Sequence, residues 1–262
     1  MEDDLPRGAL PRTGVVAPAD RGDDDFLGVV GRAVHDLRNP LAVIEGWAGE
    51  LVAVVRDGAV PAPHLAQLAE RILGAAEEAS SLVDALLADA AVRAREPAIE
   101  RVDLTVLAHA VVASLPGPAQ VQVLEVGVVP GDQVLLRRLL ANLLDNALKY
   151  VAPGTLPEVT ISGKPVEEGV CVSVADRGIG IPPGAHQRIF GDFERATSEK
   201  PGTGLGLSIC RRIAEQHGGR ICARDRDDGH RGAVFELTVP AWNPNAPAHP
   251  DLPGPDREGR EP

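Results

Sequence analysis

Aromatic side chains are nearly missing from this chain: one Tyr, two Trp and four Phe stand among 262 residues. Proteins that hold single-stranded nucleic acid stack bases on aromatic rings, and such platforms are lacking. Positive charge is short as well. The 26 Lys and Arg stand against 38 Asp and Glu, a net charge of −12 that repels a polyanion and argues against nucleic acid as a partner. Cys171, Cys210 and Cys222 are odd in number and lack C-x-x-C spacing. That argues against a disulfide framework or a zinc site and fits a reducing cytoplasm. No run approaches the roughly 20 apolar residues of a membrane span. The first residues, with Glu2, Asp3 and Asp4, do not read as a signal peptide.

What is present is aliphatic. Hydrophobic residues make up 44% of the chain, so its core must be built from Ala, Val, Leu and Ile. The length suits a domain and a smaller one, or two small domains. Residues 1–24, rich in Asp, Gly, Pro and Arg without a period, read as a disordered acidic leader. Residues 241–262, with six prolines, read as a disordered tail.

Between these ends the periodicity is strong. Val30, Val34, Leu37, Leu41, Ile44, Ala48, Leu51 and Val55 step alternately by 4 and 3, the seam of a coiled-coil-like helix. Gly58 and Pro61-Ala62-Pro63 break it. Leu65, Leu68, Ile72, Ala75, Ala79, Leu82 and Leu86 mark a second helix. The pair predicts an antiparallel hairpin over residues 25–95. Its two-sided stripe is expected to pair with a second copy, giving a four-helix bundle and a homodimer, the alternative being packing against the chain's own second domain. A linker follows near 94–101, and residues 96–240 alternate strands with helices. Strands are expected near 100–103, 121–126, 157–163, 169–175, 220–225 and 233–239, and helices over 104–114, 132–150 and 204–217. The fold class is α+β: a helical hairpin, then a mixed sheet layered with helices.

Four segments carry chemistry. His35 lies one position after the seam, on a solvent-reachable shoulder, with Asp36 beside it to accept a ring proton and Asn39 one turn on. Taken alone, His35 reads equally as an ordinary surface histidine and Pro40 as a tolerated kink. Asn142, Asn146 and Lys149 share a helix face next to Tyr150; carboxamides offer oxygen ligands to Mg²⁺, and a lysine offers charge to phosphate. A polar helix face of this kind is also commonplace. Asp176 follows a β-rich run and can accept from an exocyclic amine such as adenine's, with Gly178 and Gly180 opening the backbone to a ligand. Gly202-Thr203-Gly204-Leu205-Gly206 precedes a helix and offers N–H groups to phosphate, although a lone G-x-G-x-G is more often a turn. Between the last two, residues 181–201 lack periodicity and read as a lid or a disordered loop.

In this order and spacing the segments resemble the histidine kinases of two-component signalling, over roughly residues 26–240. His35 to Leu41 is similar to the family's H-box and Asn142 to Tyr150 to its N-box. Asp176 to Gly180 and Gly202 to Gly206 are similar to its two glycine boxes, and Ile189 to Phe193 to its phenylalanine box. The resemblance implies a dimerisation and phosphoacceptor hairpin followed by a Bergerat-type ATP-binding α/β sandwich. It implies His35 as phosphoacceptor with Asp36 as general base, and Asn142 and Asn146 as Mg²⁺ ligands. Lys149 and Tyr150 would lie near the phosphates and Asp176 would read the adenine. Gly178, Gly180, Gly202, Gly204 and Gly206 would let the lid close, with Arg195 reaching the γ-phosphate.

The implied partner is the receiver domain of a response regulator, whose aspartate receives the phosphoryl group. Asn39 resembles the residue that positions water to dephosphorylate that regulator. Hydrolytic relatives of the sandwich carry a glutamate where Asn142 stands, so transfer is favoured over hydrolysis. Two departures stand out. Val34 replaces a common serine, and only about 25 disordered residues stand ahead of the hairpin, where the family usually carries a sensor domain. The signal is therefore expected from a separate sensory protein, the leader, or a ligand at the bundle. Two other readings stay open: an ATP-binding module that controls a regulator without autokinase activity, and a serine-directed kinase of the same sandwich.

Overall fold

The computed structural model describes residues 21–58, 61–197 and 202–242. α1 (Arg21–Asp57) and α2 (Ala62–Ala94) are the two long helices that the seams predict. α1 begins earlier than expected, at the end of the stretch read as a disordered leader. Residues 1–20 of that leader, and the tail from residue 243, lie outside the described residues. Gly58 ends α1 with a left-handed φ of +77°. Pro61 caps α2, and Pro63 sits in its first turn, where a missing N–H forfeits no helical bond. Arg71 lies over the Trp47 ring at 4.4 Å, and His64 lies 3.9 Å from Glu50. Numbers rising on one helix while falling on the other mark an antiparallel hairpin.

The seam of α2 is covered as its spacing predicts, with Leu68, Ala75 and Leu82 buried. The seam of α1 splits in two. Leu37, Ile44, Ala48 and Leu51 are half-buried, whereas Val34, Leu41 and Val55 are 47%, 45% and 62% exposed. One neighbouring helix covers one row of a seam and leaves the other facing out.

The remainder is an α/β layer. β1 (Glu100–Asp103) pairs antiparallel with β3 (Val128–Gly131), a strand the sequence hides because Pro130-Gly131 reads as a turn. β2 (Gln120–Val123) runs parallel to β4 (Glu158–Val166). β5 (Gly169–Asp176), β7 (Ala233–Val239) and β6 (Arg220–Asp225) continue antiparallel, giving the order β2-β4-β5-β7-β6. The sheet is therefore mixed, as expected. α3 (Leu104–Val112), α4 (Gln133–Lys149) and α5 (Gly206–Gln216) pack with it. Leu139, Leu144, Ile161 and Ile213 are fully buried in that layer, each stabilising the fold by roughly 1.5–3 kcal/mol.

One buried carboxylate aligns α4. Asp132 accepts from the N–H groups of Val134 and Leu135 at 2.9 and 3.1 Å, capping the helix. It also accepts from Arg95 Nε at 2.8 Å and Ala98 N at 3.0 Å, tying the linker after α2 to the same point. Burial alone would raise its pKa, but these donors outweigh burial and hold it below the usual carboxylate value. The backbone N–H of Asp132 donates to His217 Nε2 at 2.9 Å, and His217 Nδ1 donates to the Ile213 carbonyl at 2.7 Å. Burial holds the His217 pKa below its ordinary value.

Candidate active site

A cleft of about 1690 Å³ opens between the hairpin and the α/β layer. Small-molecule pockets usually hold roughly 300–1,000 Å³. The cleft therefore has room for a ligand together with a side chain reaching in from a helix.

One wall is α4. Asn142, Asn146 and Lys149 line it with Tyr150, which ends the helix. Asn142 Nδ2 donates to the Gly206 carbonyl at 3.2 Å, and the buried Cys210 thiol beneath donates to the Leu139 carbonyl at 3.7 Å. Burial pushes that thiol up to about 12, so it stays protonated and inert. With its nitrogen turned inward, Asn142 has its carboxamide oxygen left for a cation. The donor set fits Mg²⁺, which takes oxygen ligands and keeps waters and phosphates in its shell.

Asp176 closes β5. It is 6% exposed, and its Oδ1 accepts from Gly178 N at 2.8 Å and Ala233 N at 3.1 Å. Burial raises its pKa, partly opposed by those N–H groups and by the charge of Arg226. Both hydrogen bonds fall on one oxygen, which leaves the other to a ligand amine. A side chain at Gly178 would collide with the Tyr150 carbonyl oxygen, which accepts from Ile179 N at 2.8 Å. Glycine there lets the end of β5 lie against the end of α4.

The segment expected as a lid is irregular over residues 181–197 apart from a 3₁₀ turn, Arg188–Phe190; residues 198–201 lie outside the described residues. Phe190 is buried edge-to-face against Phe235, with centroids 6.4 Å apart. Phe193 follows with φ +62°, a rare conformation for a residue with a side chain. Gly204, at φ +72°, lies so close that a Cβ would sit 2.7 Å from the Phe193 carbonyl carbon. Gly180, Arg195, Gly202, Thr203, Gly204 and Gly206 all line the cleft. Arg195 acts electrostatically on Tyr150, and Gly202 lies against Lys149 Nζ. α5 starts without a side-chain cap, so its first N–H groups are left for an anion. Thr203 Oγ1 accepts from Leu205 N at 3.3 Å, and Leu205 is fully buried behind the wall.

The opposite wall is the hairpin, where Asp36 and Asn39 line the cleft. His35 does not. Its side chain is 76% exposed, with Nδ1 3.2 Å from Asp36 Oδ1. The structure thus brings every sequence-predicted residue to the cleft except His35, which faces outward, and Gly178 and Leu205, which shape the wall from behind.

The contact that joins the walls is one that sequence reasoning missed. Asp89 of α2, 1% exposed, accepts from Arg93 Nε at 2.7 Å and from Arg212 Nε of α5 at 3.0 Å. Arg212 also reaches Asp192, beside the phenylalanine turn, at 3.3 Å. Nearby, Gln216 Nε2 donates to the Val92 carbonyl at 2.9 Å. A lone Asp in an apolar helix stretch was the one available signal; its partner lies 123 residues away. A second omission lies on α4, where the stripe of Asn146 and Asn142 continues one turn back to Arg138, another cleft residue.

Residues 29–94 match the family model of the His Kinase A phospho-acceptor domain. Residues 131–243 match that of the histidine kinase-, DNA gyrase B- and HSP90-like ATPases. The sensor protein KdpD of Escherichia coli is 35% identical over 216 residues, 79% of this chain and 23% of KdpD. The C4-dicarboxylate transport sensor protein DctS of Rhodobacter capsulatus is 32% identical over 250 residues, 87% of this chain and 37% of DctS. The chain thus spans well under half the length of these relatives. Among solved structures, histidine kinase ThkA in complex with response regulator protein TrrA superposes with a TM-score of 0.63 at 24% identity. That match covers 85% of this chain and 65% of ThkA. Acinetobacter baumannii histidine kinase AdeS gives 0.57 at 21% identity, covering 80% and 98%. Both show the same fold. Carrying the two modules in this order, the chain belongs to the sensor histidine kinase family of two-component signalling.

Proposed function

We propose that this chain binds ATP with Mg²⁺ in the cleft, phosphorylates His35 and passes the phosphoryl group to an aspartate of a response regulator's receiver domain. One observation carries this reading: Asp36 and Asn39 of the hairpin share a single cleft with Asn142, Asn146, Lys149 and Asp176. Asp36 holds the ring proton on Nδ1, which leaves the lone pair on Nε2. Nε2 bonds to the γ-phosphorus while the bond to the bridging oxygen breaks, ADP leaves with the electron pair, and Asp36 takes up the ring proton. Bound by Asn142 and Asn146, Mg²⁺ would neutralise phosphate charge. Asp176 accepts from the adenine amine. Lys149, Tyr150 and the first turn of α5 hold the phosphates, and Arg195 closes over them with the glycines of the lid. A carboxamide at position 142 cannot serve as base for water, so His35 is the better nucleophile.

The exposed row of Val34, Leu41 and Val55 fits burial against a second copy, making the hairpin of 25–95 a dimerisation module ahead of the catalytic module of 96–240. Asn39 orients water against the phosphorylated regulator in the reverse task. The chain works in the cytoplasm, where ATP and reduced thiols belong. The outward position of His35 favours a second reading, an ATP-binding module that controls a regulator by sequestration or dephosphorylation.

Incubation with γ-labelled ATP and Mg²⁺ separates the two. The kinase reading expects acid-labile, alkali-stable label on the wild type and none on His35→Gln, with nucleotide binding unchanged. Asn39→Ala should keep the label and lose regulator dephosphorylation. A wild type that binds ATP but takes no label supports the second reading instead.

A further inference from the structure

We propose that Arg138 is a further catalytic residue, its guanidinium neutralising the phosphoryl group as it passes between ATP and His35; this rests on the kinase reading above. Residues 138, 142, 146 and 149 step by 4, 4 and 3 and so share one face of α4. The stripe reads cation, carboxamide, carboxamide, cation, and all four residues line the cleft. Lys149, at one end, lies under the lid at Gly202. Arg138 lies at the other end, about 16 Å along the axis at 1.5 Å per residue.

Arg138 lacks the company a structural arginine keeps. Its Nε is buried without a hydrogen-bond partner among the described residues. The carboxylates of Asp36, Glu78 and Asp145 line the same cleft, yet none forms an ion pair with it among the described residues. Its charge is felt by the Cys210 thiol under Asn142, which sets the guanidinium close to the carboxamide proposed to hold the cation. Arg138 as a whole is half-buried, and a charged donor left unmet inside a protein destabilises the fold. A phosphoryl group supplies both the countercharge and the acceptors, and the planar fork of arginine matches its oxygens. In the transfer, Arg138 gains and loses no proton. It donates to the equatorial oxygens while the phosphorus–nitrogen bond forms and the phosphorus–oxygen bond to ADP breaks.

The test uses the full chain, γ-labelled ATP in a single turnover, and a fluorescent ATP analogue for affinity. Arg138→Met should label His35 about 100-fold more slowly, the usual loss for one preorganised donor. Its nucleotide affinity should stay within about threefold of wild type, as for an interaction made only in the transition state. Arg138→Lys should recover part of the rate, and it carries the test should the Met variant fold poorly. The return of label from His35 to added ADP should slow by the same factor, since both directions cross one transition state. The proposal is overturned by unchanged labelling in Arg138→Met, by rate and nucleotide affinity falling together, or by a Lys variant no faster than Met. A wild type without label sinks the kinase reading itself, a different outcome from any of these.

Discussion

The two walls of the cleft are built on opposite terms. On the nucleotide side, Asp176 is 6% exposed and fixed by two backbone N–H groups, and Asn142 is fixed by the Gly206 carbonyl. On the hairpin side, His35 is 76% exposed and bonded to its own neighbour. A wall that binds gains from being set in advance, because less freedom is lost when the ligand arrives. A side chain with the role proposed for His35, meeting a nucleotide and then another protein, has to remain accessible to both. Burial on one side and exposure on the other fit the two proposed tasks.

The largest effect should come from the fixed wall. Asp176→Asn keeps an oxygen for Gly178 and Ala233 but presents an amide donor where the proposed adenine amine needs an acceptor. Nucleotide affinity should fall about 50-fold, the roughly 2–3 kcal/mol of a mispaired buried contact. Stability should move the other way. Burial raises the Asp176 pKa, so the folded state keeps a proton that the unfolded chain has already lost. The wild type then loses stability as pH rises from the ordinary carboxylate value through the raised one, and the Asn variant lacks that slope. Nucleotide titrations and melts at pH 4 and pH 7 check both; a variant that melts early at pH 7 would make Asp176 a structural residue.

Next comes the joint between the walls. Asp89→Ala removes the carboxylate that Arg93 and Arg212 share, although both still reach Asp192. Removing one partner of a buried ion cluster costs about 3 kcal/mol. Denaturant unfolding should register that loss while nucleotide affinity stays near wild type. Unchanged unfolding would show that the cluster is replaceable and that the walls need no charged joint.

The smallest effect should be one of pH. Burial depresses the His217 pKa, so the folded protein holds it neutral while the unfolded chain takes up a proton below roughly 6.5. Stability should therefore decline as pH falls from that value until the folded-state pKa is reached. Protonated Nε2 can no longer accept from Asp132 N–H, which loosens the head of α4. His217→Gln should flatten the slope in melts between pH 7 and 5. An identical slope in both proteins would assign the loss to other groups.

Much of this molecule is legible along the chain. The seam steps predicted both helices, and three of the strands fall on their expected residues: Glu100–Asp103, Arg220–Asp225 and Ala233–Val239. Asn142, Asn146 and Lys149 line one cleft because helical spacing puts them on one face. Arg138 is equally legible, one turn earlier on that stripe. Val128–Gly131 was not legible: four residues ending in Pro-Gly carry no strand signal, and pairing with β1 is what makes them a strand.

The sequence by itself therefore determined the elements, their order and the faces on which chemistry-bearing residues stand, because period and cap are local properties of the backbone. Tertiary structure alone decided which row of the α1 seam is covered, which way His35 points, and that Asp89 meets Arg212. Those outcomes depend on contacts between residues far apart in the chain, whose distance no periodicity encodes.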